Sequence, residues 1–79
     1  MEKKILELFA TLLQVPENAV KDATRPEDLE RWDSMQHLIL VSGFEEEFCV
    51  EVDPEEAVGM YKDFATFRRV ILEKLSTKG

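Results

Sequence analysis

Apolar residues in this chain recur at spacings of three and four, in stretches broken by proline, glycine and capping acids. Ile5, Leu8, Phe9, Leu12 and Leu13 form the first such stripe, over 3–13. That period fits the turn of an α-helix and not the alternation of a strand. Pro16 is expected to end this helix. Leu38, Val41, Phe44 and Phe48 make a second stripe over 34–48, and Phe64, Phe67, Val70, Ile71 and Leu75 a third over 64–75, capped by Asp63. Between them, "VDPEEAVG" offers Asp53 as a cap, Pro54 at the first helical position, Glu56 as the capping-box partner and Gly59 as a stop. A short helix over 54–58 follows. Residues 49–52, "CVEV", have no pairing partner elsewhere and read as an extended connection. The expected architecture is all-α: a small four-helix bundle of three longer helices and a short third one.

The connection over 17–32 is polar. Within it Thr24 stands three residues before Glu27, with Pro26 between, which predicts a short helical turn. Leu29 and Val20 are its candidate anchors to the core. In the second helix Asp33 is the expected N-cap and Gln36 sits at the reciprocal position. Gln36, Ile39, Gly43 and Glu46 fall opposite the apolar stripe, on the side expected to be exposed. Gly43 costs a helix about 1 kcal/mol relative to alanine, so close approach of another element is expected there.

At 79 residues the chain is one domain, 1–79. A domain this small buries only about 60% of its unfolded surface, which leaves room for one core and little for a deep catalytic cleft. Hydrophobic residues at 44% and charged residues at 34% exclude a disordered chain. Seventeen acidic against ten basic residues give a net charge of −7. That charge repels nucleic acid and anionic membranes and favours basic protein surfaces. Cys49 is the single cysteine, so no internal disulfide is possible, and a free thiol fits a reducing, cytoplasmic setting. "MEKKILELFATLL" is interrupted by Glu7 and reads as an amphipathic helix rather than a signal peptide. No apolar run approaches the roughly 18 residues of a membrane span. A monomer is expected.

"ERWDSMQHL", residues 30–38, places Ser34 beside Asp33 at a helix start. Such pairs are common for structural reasons, because both side chains satisfy backbone amides there. The alternative is a place of attachment. Ser34 would stand exposed in the first turn, where the helix dipole favours a negatively charged group on its hydroxyl. A separate enzyme can activate that hydroxyl, so no local base is required.

The chain resembles the acyl carrier protein family, the phosphopantetheine-binding carriers. "WDSMQHL" is similar to that family's Asp-Ser-Leu/Met signature, and "FEEEFCVEVDPEEA" to the end of its second helix and the start of its third. Helix order, length and acidity agree over about 3–75. The resemblance implies that Ser34 receives a 4′-phosphopantetheine arm from coenzyme A, through a Mg²⁺-dependent phosphopantetheinyl transferase. The arm's thiol would carry an acyl group as a thioester between partner enzymes, so the chain is a shuttle and not an enzyme. It further implies that Asp33 orients the attachment site and that Met35 lies beside the arm. Trp32, Gln36 and Ile39 depart from the pattern. The residue before Asp-Ser is commonly Gly, Ala or Leu, and the other two positions are usually acidic. A more apolar face near Ser34 implies a specialised stand-alone carrier of a polyketide, secondary-metabolite or lipid-modifying system.

Glu45, Glu46 and Glu47 form a charge run that is either a solvated helix face or, for Glu46 and Glu47, a contact for Arg and Lys on acyl-loading and acyl-accepting enzymes. With Gln36 and Ile39 they are the candidate partner-binding residues. His37 lacks the neighbours of a metal site and is expected to be structural, packed under Trp32. Trp32 precedes the cap, where an apolar residue packs back on its helix as a staple; the alternative is a cover over the arm or a partner contact. Phe44, Phe48, Val58, Met60, Tyr61, Phe64 and Phe67 are expected in a tight core. A peptidyl or aminoacyl carrier is the neighbouring alternative, which the acidic "EEEF" helix end disfavours. A helical adaptor that never receives the arm is the alternative from another class.

Overall fold

The computed structural model of the protein describes residues 2–78. They form α1 (Glu2–Leu13), α2 (Ser34–Phe48), α3 (Pro54–Met60) and α4 (Phe64–Lys78), with 3₁₀ turns at Glu17–Ala19 and Pro26–Asp28. The described residues are 71% helical and include no strand, so the expected all-α bundle is the observed one.

The core gathers around Phe9. Its ring meets Trp32, Phe64 and Phe67 edge-on, with centroids at 5.0, 4.8 and 5.2 Å. Such edge contacts add about 0.5–1.5 kcal/mol per pair beyond the area they bury. Ile5 and Leu13 of α1, Leu40, Val41 and Phe44 of α2, Met60 of α3 and Ile71 of α4 complete the cluster. Val20 is buried and Leu29 packs against the cluster, so both expected loop anchors are in place.

Caps set most helix starts. Asp33 Oδ1 accepts from Gln36 N at 2.8 Å, and Asp63 Oδ1 accepts from Thr66 N at 2.7 Å. At α3, Glu56 Oε1 accepts from Asp53 N at 3.0 Å and from Lys74 Nζ at 2.6 Å, which ties α3 to α4. The turn after Pro26 is displaced by one residue from expectation. Asp28 Oδ2, not Glu27, accepts the return bond, from Arg25 N at 2.9 Å. Thr24 is instead buried, accepting from Lys21 N through Oγ1 at 2.8 Å and from Phe64 N through its carbonyl at 2.9 Å.

Four further expectations need correction. Leu38 is 64% exposed and Val58 is 76% exposed, so neither belongs to the core. The buried stripe of α2 is His37, Leu40, Val41 and Phe44, because Trp32 draws His37 inward. Gly59 does not stop α3, which continues to the buried anchor Met60. α4 runs past Leu75 to Lys78. Gly43 is as expected a point of close approach: a Cβ there would stand 2.8 Å from Leu12 Cδ1, so that position faces α1 rather than solvent.

α1 and α2 both end on a left-handed residue that is not glycine, Gln14 at φ 60° and Cys49 at φ 55°. The amides that follow close the helix ends, Val15 N to Ala10 O at 3.0 Å and Val50 N to Glu45 O at 3.1 Å. Gln14 therefore ends α1 before Pro16 is reached. A side chain in this conformation costs stability that glycine relieves, partly offset by glycine's greater freedom when unfolded. Cys49→Gly is expected to stabilise the protein by about 0.5–1 kcal/mol, read as a higher urea midpoint at unchanged slope. An unchanged or lower midpoint would show that the strain assigned to Cys49 is not there.

Candidate functional site

Ser34 is the first residue of α2 and is exposed. Among the described residues, no side chain hydrogen-bonds to its hydroxyl. Asp33, just before it, is occupied as a cap: its carboxylate takes the Gln36 amide and its carbonyl takes the His37 amide at 2.8 Å. Gln36 is half-buried, and its side chain does not return the bond to Asp33. The pair is thus held by local helix-start chemistry, which leaves Ser34 Oγ free toward solvent.

His37, three residues on, borders the same side of α2 but points inward. It is 4% exposed, and both ring nitrogens are engaged. Trp32 Nε1 donates to Nδ1 at 3.0 Å, and Nε2 lies 2.7 Å from Ala57 O. A carbonyl only accepts, so Nε2 carries the proton and donates, while Nδ1 is the bare acceptor. Burial pushes the imidazole below its ordinary value of 6.5, opposed in part by the Ala57 carbonyl. The indole N–H aimed at Nδ1 also leaves no room for a second ring proton. The one histidine is therefore neutral, turned inward and not a base for Ser34.

Trp32 and His37 occupy the positions before the cap and one turn after it, the places of a hydrophobic staple. Here the staple is an aromatic pair joined by a hydrogen bond. Tyr61, at the end of α3, extends it, with its ring 4.8 Å from His37 and its hydroxyl 3.4 Å from Trp32 O. The network spans the loop before Ser34, α2 and α3, and so fixes the attitude of the serine-bearing turn.

Apolar side chains stand exposed along the first turns of α2 and on α3, beside the exposed carboxylates of Glu30 and Asp33. Met35 is 72% exposed and Ile39 51%, and with Leu38 and Val58 they are the large hydrophobic side chains left in solvent among the described residues. A cleft of about 310 Å³ lies between α2 and α3, bordered by Ser34, His37, Leu38, Ala57, Val58 and Tyr61. A wider groove of about 660 Å³, bordered by Arg25, Trp32, Asp33, Tyr61 and Lys62, lies against Asp33.

The three-glutamate run is divided by helical phase. Glu45 Oε2 accepts from Val52 N at 2.8 Å and pins the connection to α3. Glu46 and Glu47 are exposed and remain available to a basic partner. Ile39 and Glu46 border one groove with Leu12, Leu38 and Gly43, whereas Glu47 borders another with Lys4 and Phe48. The sequence-derived residues thus fall into one cluster at the start of α2 (Asp33, Ser34, Met35, Gln36) and a separate set further along it. Leu38 and Val58 were missed as surface residues.

Among the described residues, no helix is long and apolar enough to cross a membrane. Compared with models of known families, with characterised proteins and with solved structures, the chain matches none, so its likeness to the carriers rests on the residues themselves.

Proposed function

We propose that this chain is an acyl carrier protein modified on Ser34 with 4′-phosphopantetheine. The observation that carries the reading is the placement of Ser34: exposed, its hydroxyl free of hydrogen bonds to the described residues, at the first position of a capped fifteen-residue helix and beside an apolar cleft. A phosphodiester there would sit at the positive end of α2. The residues fit the group, and when bound it supplies the thiol that holds an acyl chain as a thioester. In the attachment step Ser34 Oγ gains a bond to phosphorus and the pyrophosphate bond of coenzyme A breaks. Adenosine 3′,5′-bisphosphate leaves, and the hydroxyl proton passes to a base of the transferase. No base within this chain is needed, which agrees with the inward orientation of His37.

Asp33 holds the turn that presents the serine, and Met35 flanks it. Partners would be the transferase and the acyl-loading and acyl-accepting enzymes. Ile39 with Met35 and Leu38 would give them an apolar contact, Gln36 a neutral one, and Glu46 and Glu47 charge attraction toward basic patches. Exposed Met35, Leu38 and Ile39, with neutral Gln36, on α2 after Ser34 support a specialised carrier. The exposed thiol of Cys49 is compatible with a reducing cytoplasm.

The test is intact mass after incubation with coenzyme A, Mg²⁺ and a broad-specificity phosphopantetheinyl transferase. Wild-type protein is expected to gain one phosphopantetheine, and Ser34→Ala none. The exposed position should hold the stability change of that variant within about 0.5 kcal/mol, so folding does not confound the comparison. No gain on folded wild-type protein with several transferases would leave an unmodified helical adaptor as the better reading.

A further inference from the structure

α3 is carried by α4 more than by α2. Lys74 of α4 reaches Glu56, and Met60 is buried in the cluster that includes Phe64 and Phe67. A hydrogen bond joins α3 to α2, from His37 Nε2–H to Ala57 O. The α2–α3 cleft opens between Leu38 and Val58 beside Ser34, and it closes inward on His37 and Tyr61. Its volume of about 310 Å³ stands at the low end of the roughly 300–1,000 Å³ that ligand pockets span.

Behind the imidazole the interior is filled. Trp32 and Phe67 stand around His37, tilted and edge-on, at 6.1 and 6.0 Å, and Phe44 closes on Phe67 at 4.9 Å. No buried side-chain nitrogen or oxygen among the described residues lacks a partner. A group that pushed deeper would displace the imidazole. That would break the bond to the half-buried Ala57 carbonyl and strand the buried Trp32 indole N–H, which is costly to leave unpaired.

We infer that His37 determines cargo size: it closes the floor of the α2–α3 cleft, so the site serves short acyl groups and keeps longer chains out of the core. The inference rests on the reading of Ser34 as the attachment point. Short cargo lies against Leu38, Pro54 and Val58. Longer chains extend over the exposed surface, where they contribute little to folding and stay open to partner enzymes.

The experiment charges the full chain with butanoyl, octanoyl and dodecanoyl arms, using the transferase and the matching acyl-coenzyme A, and confirms each form by intact mass. Melting temperature and the Trp32 indole N–H resonance are then followed. The wild-type series is expected to be flat, with octanoyl and dodecanoyl forms melting within about 2 °C of the butanoyl form, and with an unmoved indole resonance. Burying methylenes in the core would instead raise the melting temperature by about 3 °C or more for each. A dodecanoyl form melting about 10 °C or more above the butanoyl form, with a shifted indole resonance, overturns the inference.

His37→Ala, which opens the floor, is expected to convert the flat series into a rising one. His37→Gln is expected to restore flatness, because its amide can accept from Trp32 Nε1 and donate to Ala57 O. A folded His37→Ala protein with a flat series overturns the role of His37. Should that variant not fold, the wild-type series decides alone. Absence of any mass gain overturns the attachment reading itself, whereas loading followed by a rising wild-type series overturns this inference only.

Discussion

Phe9→Ala is expected to remove about 3–5 kcal/mol of stability, the range for truncating a buried aromatic ring. Phe9 is fully buried and touches three other aromatic rings, contributed by two elements of the fold. Its loss opens a cavity that the rigid Trp32, Phe64 and Phe67 rings cannot collapse into. A domain of this size holds about 4–12 kcal/mol in total, so the loss removes from about a quarter to all of the stability and should lower the urea midpoint severely. Urea unfolding followed by circular dichroism measures this directly. A loss below about 1 kcal/mol would mean that the bundle does not centre on Phe9.

His37→Leu is expected to cost about 2–4 kcal/mol although it makes the residue more hydrophobic. The leucine fills similar space but leaves the buried Trp32 Nε1–H without a partner, at about 1–3 kcal/mol, and removes the bond to the half-buried Ala57 O, worth about 0.5–1.5 kcal/mol. The pH dependence separates this account from a simple packing defect. The folded imidazole titrates below its ordinary value of 6.5. Between the folded and unfolded values, the unfolded chain binds a proton that the folded chain does not, so stability rises with pH there. Wild-type stability is therefore full above about pH 6.5 and falls as pH drops below it, by up to about 1.4 kcal/mol per pH unit.

The rings around His37 are those of Trp32, Tyr61 and Phe67, and no ionised side chain contributes to its shift. The carboxylates of Asp22, Glu56 and Asp63 are held below the usual range by Arg68, Lys74 and Thr66. Their stabilising effect is lost only at lower pH, as their protonation begins, so the two windows are separate. Urea midpoints at about pH 7.5 and about pH 5.5 should differ for the wild type and not for His37→Leu. Equal pH dependence in both proteins would remove His37 as its source.

Much of the candidate site could be read from sequence because its chemistry is local. A cap acts over three residues, so Asp33, Ser34 and Gln36 define where α2 begins without help from the rest of the fold, and the structure places that start at Ser34. The same holds for Asp63 before α4 and for Pro54 with Glu56 in α3. Gly43 was legible for a related reason: a glycine within a helix needs a cause, and Leu12 is the cause. The left-handed helix ends at Gln14 and Cys49 left no such mark, because neither residue is glycine.

Periodicity and local capping were thus enough for an all-α bundle, its helix order and the position of the exposed serine. They could not decide which of His37 and Leu38 turns inward. Hydropathy favours the leucine, yet the histidine is buried, because Trp32, five residues away, and Ala57, twenty away, satisfy both of its nitrogens. Nor could three consecutive glutamates be told apart until Glu45 met the Val52 amide. A polar group can be buried only where the whole fold brings its partners to it, and such partners, being distant in the chain, leave no local pattern to read.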